Sequence, residues 1–209
     1  MAEGMRPAVV AQLGERIRAL RQDQDLSVAA LAEASEVSRR MLTQIELGQA
    51  NPSVTILDRI ADGLGTTFAA LMGVGPDAPP EGVEVWSTDD GSWAILLDAV
   101  ETPDGTVVET WKYWLLGNDQ VSGGTEDPSP AMMLHVIEGA LEVTTPRGTE
   151  TIEVGGSGRV PRNAPYRFRA VDERGAGFLA ASLMPRLSAA RARGTAGSNT
   201  ASPPRCSTG

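Results

Sequence analysis

The first 75 residues carry apolar positions at helical spacing, and roughly the next hundred carry short alternating runs. In a helix, residues three and four apart share a face; in a strand, every second residue does. Val10, Leu13, Ile17 and Leu20 follow the first period and predict a helix from about Val9 to Asp23. Leu26, Val28, Leu31 and Ala32 predict a second, with Ser27 as N-cap. Glu36-Val37-Ser38 makes a turn, and Ser38 caps a third helix that runs to Leu47, with Leu42 and Ile45 inward. Arg39, Arg40, Thr43 and Gln44 are left on its open face. Gly48 stops it. Val54, Leu57, Ile60, Ala61 and Leu64 stripe a fourth helix from Ser53 to Leu64, closed by Gly65, and FAALM makes a fifth that ends at Gly73. Gly63 costs the fourth helix about 1 kcal/mol locally.

From Val83 the period is two. VEVWS, SWAILLDAV, TVVETWKYWLL, AMMLHVIEGALEVTTP, GTETIEVGG, SGRVP, YRFRAV and GAGFLAASLM are short and rich in strand formers. Turn signals such as Asp89-Asp90-Gly91 and Pro103-Asp104-Gly105 separate them. Such a series predicts a sandwich or jelly-roll barrel. Between the two regions the periodicity stops in a Gly- and Pro-rich stretch. The predicted organisation is a disordered start (1–8), an all-α domain (9–73), a linker (74–82), an all-β domain (83–185) and a disordered tail (186–209).

The second and third helices, with the tight turn between them, form a helix-turn-helix pattern. Residues 13–72 resemble the DNA-binding domain of the phage-repressor-like, or XRE, family. Leu13, Ile17, Leu20 and Arg21 carry the resemblance, followed by LSVAALAEAS, VSRRMLTQIELG and NPSVTILDRIADGLG. One residue departs from the pattern: Glu36 stands where the family has Gly. A left-handed backbone there costs a non-Gly residue about 1 kcal/mol. The resemblance implies a five-helix, lambda-repressor-like fold with the third helix in the major groove. It also implies an Arg21–Glu46 pair joining the first helix to the end of the third, near a DNA phosphate. Arg39, Arg40 and Gln44 are the candidates for base edges, since Arg suits guanine and Gln suits adenine. Ser27, Thr43, Arg21 and Asn51 are the candidates for the DNA backbone.

In the second region, VIEGALEVTTPRGTETIEVGGSGRVPRNAPYRFRA is similar to the central part of a cupin. The order of the two resemblances is itself an architecture of bacterial regulators, and it makes the chain an α + β two-domain protein with a C-terminal cupin (jelly-roll) barrel. Many cupins hold a divalent metal with three His and a Glu. Those positions fall near Thr125 and Asp127, at Met132 and at Tyr166. The chain has one His, so a three-His site cannot form and no cofactor is expected. That residue, His135, is either directed into the barrel or a satisfied strand histidine. Glu126 and Asp127 are a weak cation site or a solvated loop. Trp111, Tyr113, Met132, His135, Tyr166 and Phe168 are the candidate ligand pocket; the competing reading is that bulky residues such as these, with Trp93, Trp114 and Met133, fill the core or a dimer interface. Alternation places Trp111 and Tyr113 on one face and Lys112 and Trp114 on the other, leaving open which is inside. Arg162, Arg167 and Arg169 are candidates for an anionic ligand or are solvated.

Charge modifies this picture. The net charge is −9, but 18 of the 27 acidic residues lie in 76–185, against 7 basic ones. Residues 1–75 are near balance, with 7 basic and 9 acidic. Screening over about 8 Å isolates the acidic region from the DNA-binding face. The tail is basic, so its arginines either touch DNA weakly or stay solvated. Its Cys206 is the single cysteine, which excludes an intrachain disulfide. No apolar run approaches the ~20 residues a bilayer needs, and charge interrupts the N-terminus. The expected location is cytoplasmic, with no membrane partner.

The expected function is sequence-specific binding of double-stranded DNA, at an inverted-repeat operator, by a transcriptional regulator. The expected state is a homodimer, held by the barrel, which would also take a small-molecule effector. Enzyme action is not expected. Two rivals remain: a metal-dependent or cofactor-free cupin enzyme tethered to DNA, and an antitoxin-like helix-turn-helix that binds protein.

Overall fold

The computed structural model describes residues 5–75, 78–117, 119–124 and 129–185. The expected tail with Cys206, the first four residues, and Thr125, Glu126 and Asp127 lie outside the described residues.

The N-terminal half is helical. α1 (Pro7–Asp23) begins two residues before the expected start, with Pro7 at a position where its missing N–H costs nothing. Part of the stretch expected to be disordered is thus helix. α2 (Val28–Ala34), α3 (Arg39–Glu46) and α4 (Val54–Gly63) are capped by the hydroxyls of Ser27, Ser38 and Ser53, each accepting from an N–H three residues on. α5 (Phe68–Met72) is capped by Thr67 and ends at Gly73, in the left-handed region at φ +88°. Glu36 is left-handed too, at φ +53°, as its place in the turn predicts. Ile17, Leu31, Leu42, Ile45, Leu57 and Ile60 are fully buried between the helices. Burial of each such side chain is worth roughly 1.5–3 kcal/mol. Gly14 lets α1 lie directly on α3: a Cβ there would collide with the carbonyl oxygen of Ile45.

The second half is β-structure. β1 (Val83–Ser87), β2 (Trp93–Glu101), β3 (Thr106–Leu115), β5 (Ala131–Glu138), β8 (Ser157–Val160) and β10 (Ala176–Pro185) form a six-stranded sheet in the order β1-β2-β3-β10-β5-β8. β4 (Gln120–Gly123), β6 (Ala140–Thr145), β7 (Gly148–Glu153) and β9 (Tyr166–Ala170) form a four-stranded sheet in the order β4-β9-β6-β7. All described pairings are antiparallel. The two sheets face each other as antiparallel layers of an all-β domain, in line with the sandwich or jelly roll that the sequence pattern predicts. β4 was not foreseen, because QVSG offers no apolar alternation. The run from Ala131 to Pro146 is two strands in different sheets, broken at Gly139 (φ +68°), where a Cβ would meet the carbonyl oxygen of Gly175.

The register settles which faces are inside. Val107, Trp111 and Leu115 of β3 are buried, whereas Lys112 between them is exposed. Lys112 lies outside, with its Nζ 5.7 Å from the centre of the Trp93 ring. Met132, Leu134 and Val136 of β5 are buried, so Met133 and His135 point out.

The two halves share one apolar core. Phe68 of α5 stacks on Trp111 of β3, with ring centroids 6.1 Å apart. Trp111 stacks in turn on Tyr113, and Tyr113 on Phe178. Arg6 pairs with Glu84 of β1 at 2.8 Å, and Arg16 ties α1 to α5 through the Leu71 carbonyl at 2.9 Å.

Candidate nucleic-acid interface and interdomain cavity

The candidate reading face is the outer side of α3. Burying Leu42 and Ile45 turns Arg39, Arg40 and Thr43 outward, with Gln44 half-buried beside them. The Ser38 cap fixes where the helix starts. The Thr43 hydroxyl donates to the Arg39 carbonyl at 2.8 Å, which uses its one proton and leaves its lone pairs to accept. Ser27 is exposed, and its Oγ accepts from the Ala30 N–H. Asn51 is exposed and holds the backbone of Met5 by two weak contacts of 3.4 Å.

Arg21 makes the pair with Glu46 that the resemblance implies. It is 9% exposed, and its Nε and Nη2 donate to Glu46 Oε1 and Oε2 at 2.7 and 2.9 Å. Its Nη1 donates to the Leu26 carbonyl at 2.8 Å. The pair draws Arg21 inward. The guanidinium therefore holds the end of α3 and the start of α2 in place. The charge-assisted bond to Glu46 raises the Arg21 pKa further, against the cost of burial.

The second site is a cavity of about 580 Å³ between α4 and the barrel mouth. Its walls include Phe68, Trp86, Trp111, Tyr113, Met132 and Tyr166. Four of the six predicted pocket residues are therefore brought together. The other two are not. His135 lies on the outer face, bonded to Ser157 Oγ at 3.0 Å, because alternation along β5 gives the interior to Met132 and Leu134. Phe168 is buried between the sheets, stacked on Tyr166 and edge-on to Phe178. Of the three candidate arginines, Arg162 and Arg167 are exposed and Arg169 pairs with Glu142 at 3.1 Å. Met132 and Tyr166, where the cupin pattern would carry metal ligands, do face the cavity. Among the described residues, no group of three or more His, Cys, Asp or Glu could hold a metal ion.

Among the cavity residues not foreseen are two acidic ones, Asp58 of α4 and Glu109 of β3. Burial pushes the Asp58 carboxyl up to about 7, with the charges of Glu109 and Asp62 adding to the rise. Burial also pushes Glu109 up to about 7, and the hydrogen bond from Trp111 Nε1, at 3.1 Å, opposes it. Burial raises the Tyr113 and Tyr166 hydroxyls as well. Glu109 had a sequence signal: it is the acidic member of the inward set Val107-Glu109-Trp111-Tyr113-Leu115. Asp58 had none, since its burial depends on where the barrel sits.

A family model described as a helix-turn-helix domain matches residues 12–72. Over 95 residues the chain is 35% identical to the HTH-type transcriptional regulator DdrOP3 of Deinococcus deserti, covering 44% of this chain and 67% of that one. The chain belongs to the XRE-type helix-turn-helix transcriptional regulators. This regulator is also 25% identical over 162 residues to the HTH-type transcriptional regulator SutR of Escherichia coli, covering 75% of this chain and 86% of that relative. Its match to the immunity repressor of Bacillus phage phi105, 38% over 61 residues, spans 42% of that relative's length. The regulator shares its fold with the crystal structure of an HTH_3 family transcriptional regulator from Vibrio cholerae, with a TM-score of 0.60, 26% identity, and coverage of 86% of this chain and 99% of that one. Among the described residues, no helix of the regulator is long and apolar enough to cross a membrane.

Proposed function

We propose that the regulator reads an inverted repeat in double-stranded DNA as a homodimer, with α3 of each copy in a major groove. The carrying observation is the exposed set Arg39, Arg40 and Thr43, with Gln44 beside it, on a helix held from behind by the Arg21–Glu46 pair. Arg39, Arg40 and Gln44 are the base-reading residues. Ser27, Thr43, Arg21 and Asn51 are the backbone-positioning ones. A single domain of this kind makes few contacts, and pairing across two half-sites about 34 Å apart supplies the rest. The barrel supplies the dimer contact and a small-molecule site, and the reading assigns it no catalytic role. The domain limits of 9–73 and 83–185 belong to the same reading. The cavity's position supports a sensing role, because its lining comes both from the DNA-binding half, through α4 and Phe68 of α5, and from barrel strands. A ligand that favours one arrangement of the two halves changes DNA affinity by its differential binding.

The test is selection of bound fragments from random duplex DNA at fixed salt, comparing the natural chain with an Arg39→Ala, Gln44→Ala double variant. The expected result is an enriched inverted repeat that the double variant fails to enrich. Enrichment of the same repeat by both proteins would overturn the assignment of α3.

A further inference from the structure

The two carboxylates of the interdomain cavity have no cationic partner among the described residues, although Glu109 accepts a hydrogen bond from Trp111 Nε1 at 3.1 Å. Asp58 and Glu109 approach the cavity from the two halves of the chain, and both line it. Among the described residues no Lys or Arg forms an ion pair with either. Arg59 lines the cavity too, but it is exposed. A second, independent feature lies on the same wall. Ser129 is 4% exposed, and its Oγ has no hydrogen-bond partner among the described residues. Ser182, 7% exposed, lines the cavity close to Met132, its register partner. A buried polar atom without a partner costs free energy, and a carboxylate held away from water costs more. Meanwhile Phe68, Trp86, Trp111 and the two tyrosines give the cavity aromatic walls.

We infer that this cavity is a binding site for an organic cation, an amine whose ammonium group sits between Asp58 and Glu109 and whose carbon skeleton lies on the aromatic walls. The inference rests on the regulator reading above and names the ligand class and the site. An ammonium offers three donors and a positive charge, which two carboxylates and free hydroxyl groups can accept. Ring faces attract the same charge. A bare divalent ion fits less well. It takes about six to eight oxygen ligands, and the cavity's 580 Å³ is far larger than such a cage. An amine here touches α4 and β3 at once. It therefore fixes the DNA-binding half against the barrel, and its binding changes DNA affinity.

The experiment uses the full chain, with benzylamine and 1,6-diaminohexane as probes and benzyl alcohol and 1,6-hexanediol as uncharged matches. Binding is followed by calorimetry and by the fluorescence of the cavity tryptophans, at a pH above 7. At least one amine should bind, with its alcohol match weaker by about tenfold or more, as expected for a desolvated charged contact. Glu109→Gln and Asp58→Asn should each lose about tenfold in amine affinity. Neither variant needs to unfold, because each removes an unfavourable buried charge. Amine saturation should also shift the affinity for the selected duplex. Equal binding of amine and alcohol, undiminished binding by both variants, stabilisation by magnesium or manganese alone, or no amine binding at all would each overturn the site. Amine binding with unchanged DNA affinity would overturn the coupling. Duplex binding without any probe is scored separately: its loss would overturn the regulator reading while leaving the amine site standing.

Discussion

Arg21 and Glu46 meet as a two-pronged ion pair inside the helical domain, with side chains only 10% and 7% exposed. The pair joins α1 to the last turn of α3, and the third Arg21 contact, to the Leu26 carbonyl, reaches the start of α2. Removing one member leaves the other charged, buried and unmatched, which costs about 3–5 kcal/mol. Arg21→Ala and Glu46→Ala should each lower stability by that order, read from urea unfolding of the helical signal. An Arg21→Met, Glu46→Leu double variant should recover most of the loss, because a well-packed apolar pair needs no desolvation. Equal loss in the double and single variants would mean that the position matters for shape alone.

The pair also separates what each change does to DNA binding. Arg39→Ala should leave stability within about 0.5 kcal/mol, since Arg39 is exposed, and Gln44→Ala, at a half-buried position, should cost about 1 kcal/mol at most. Each should relax preference at one position of the half-site by about 1–3 kcal/mol, measured by competition with single-base variants of the selected duplex. A uniform drop across all sequences, with a shallower salt dependence, would instead mark the residue as a phosphate contact.

The turn before α3 gives a backbone test. Glu36 holds φ +53°, a conformation that costs a residue with a Cβ about 1 kcal/mol. Glu36→Gly should therefore be more stable than Glu36→Ala by about 1 kcal/mol, less the entropy that glycine adds to the unfolded chain. The comparison with Ala removes the carboxylate from both sides. Equal melting temperatures would show that the turn relaxes around the side chain.

These cases show how far the chain could be read before folding. The helical half was legible because its signals are local: a 3.6-residue apolar stripe, a hydroxyl at each cap, a polar open face on α3. Even the left-handed turn at Glu36 could be placed. The barrel strands were legible from alternation, except β4, whose four residues have no apolar rhythm. Orientation was not legible, because TWKYWL alternates bulky residues on both faces, and only pairing with β2 and β10 decides that Trp111 faces in. His135 was open between the barrel interior and a satisfied strand position, and its strand parity, opposite to that of Met132, places it outside. Asp58 could not be found at all: on α4 alone it is a surface carboxylate, and the barrel makes it a cavity wall.

Asp58 and Glu109 should leave a mark on the pH dependence of stability. Both carboxyls stand at about 7 in the folded protein, above their ordinary values of 3.8 and 4.5. Between those limits the folded chain binds more protons than the unfolded one, so stability falls as pH rises. The stabilising proton is fully in place at about pH 4 and is lost by somewhat above 7. Asp62 adds to the effect at Asp58, and the Trp111 bond reduces it at Glu109. Asp172, whose pKa is lowered by the N–H of Arg174, acts in the opposite sense, but it is exposed and present in every variant. The natural chain should melt at a higher temperature at pH 5 than at pH 8, with the gap narrowed in Glu109→Gln and Asp58→Asn. Both variants should exceed the natural chain at pH 8. Unchanged slopes in both would mean that the two groups stay ionised and hydrated.

The outer face of the six-stranded sheet bears on assembly. On its adjacent strands β5 and β10, Met133 is 59% exposed and Leu179 is 39% exposed. Register places Met133 opposite Ala181 and His135 opposite Leu179, so these side chains form one patch. Lys112 and Arg159, the other register partners of Leu179 and Met133, flank the two apolar side chains and give the patch a basic rim. A second copy of the chain is the occupant that suits it, because a two-fold contact sets the same patch against itself and two reading helices are needed for an inverted repeat. Met133→Glu together with Leu179→Glu puts like charges across that axis while leaving the barrel interior untouched. Sedimentation should show a dimer for the natural chain and a monomer for the double variant. Binding to a duplex with one half-site should be the same for both, whereas binding to the full repeat should fall only in the variant. A variant that stays dimeric would move the interface off this sheet.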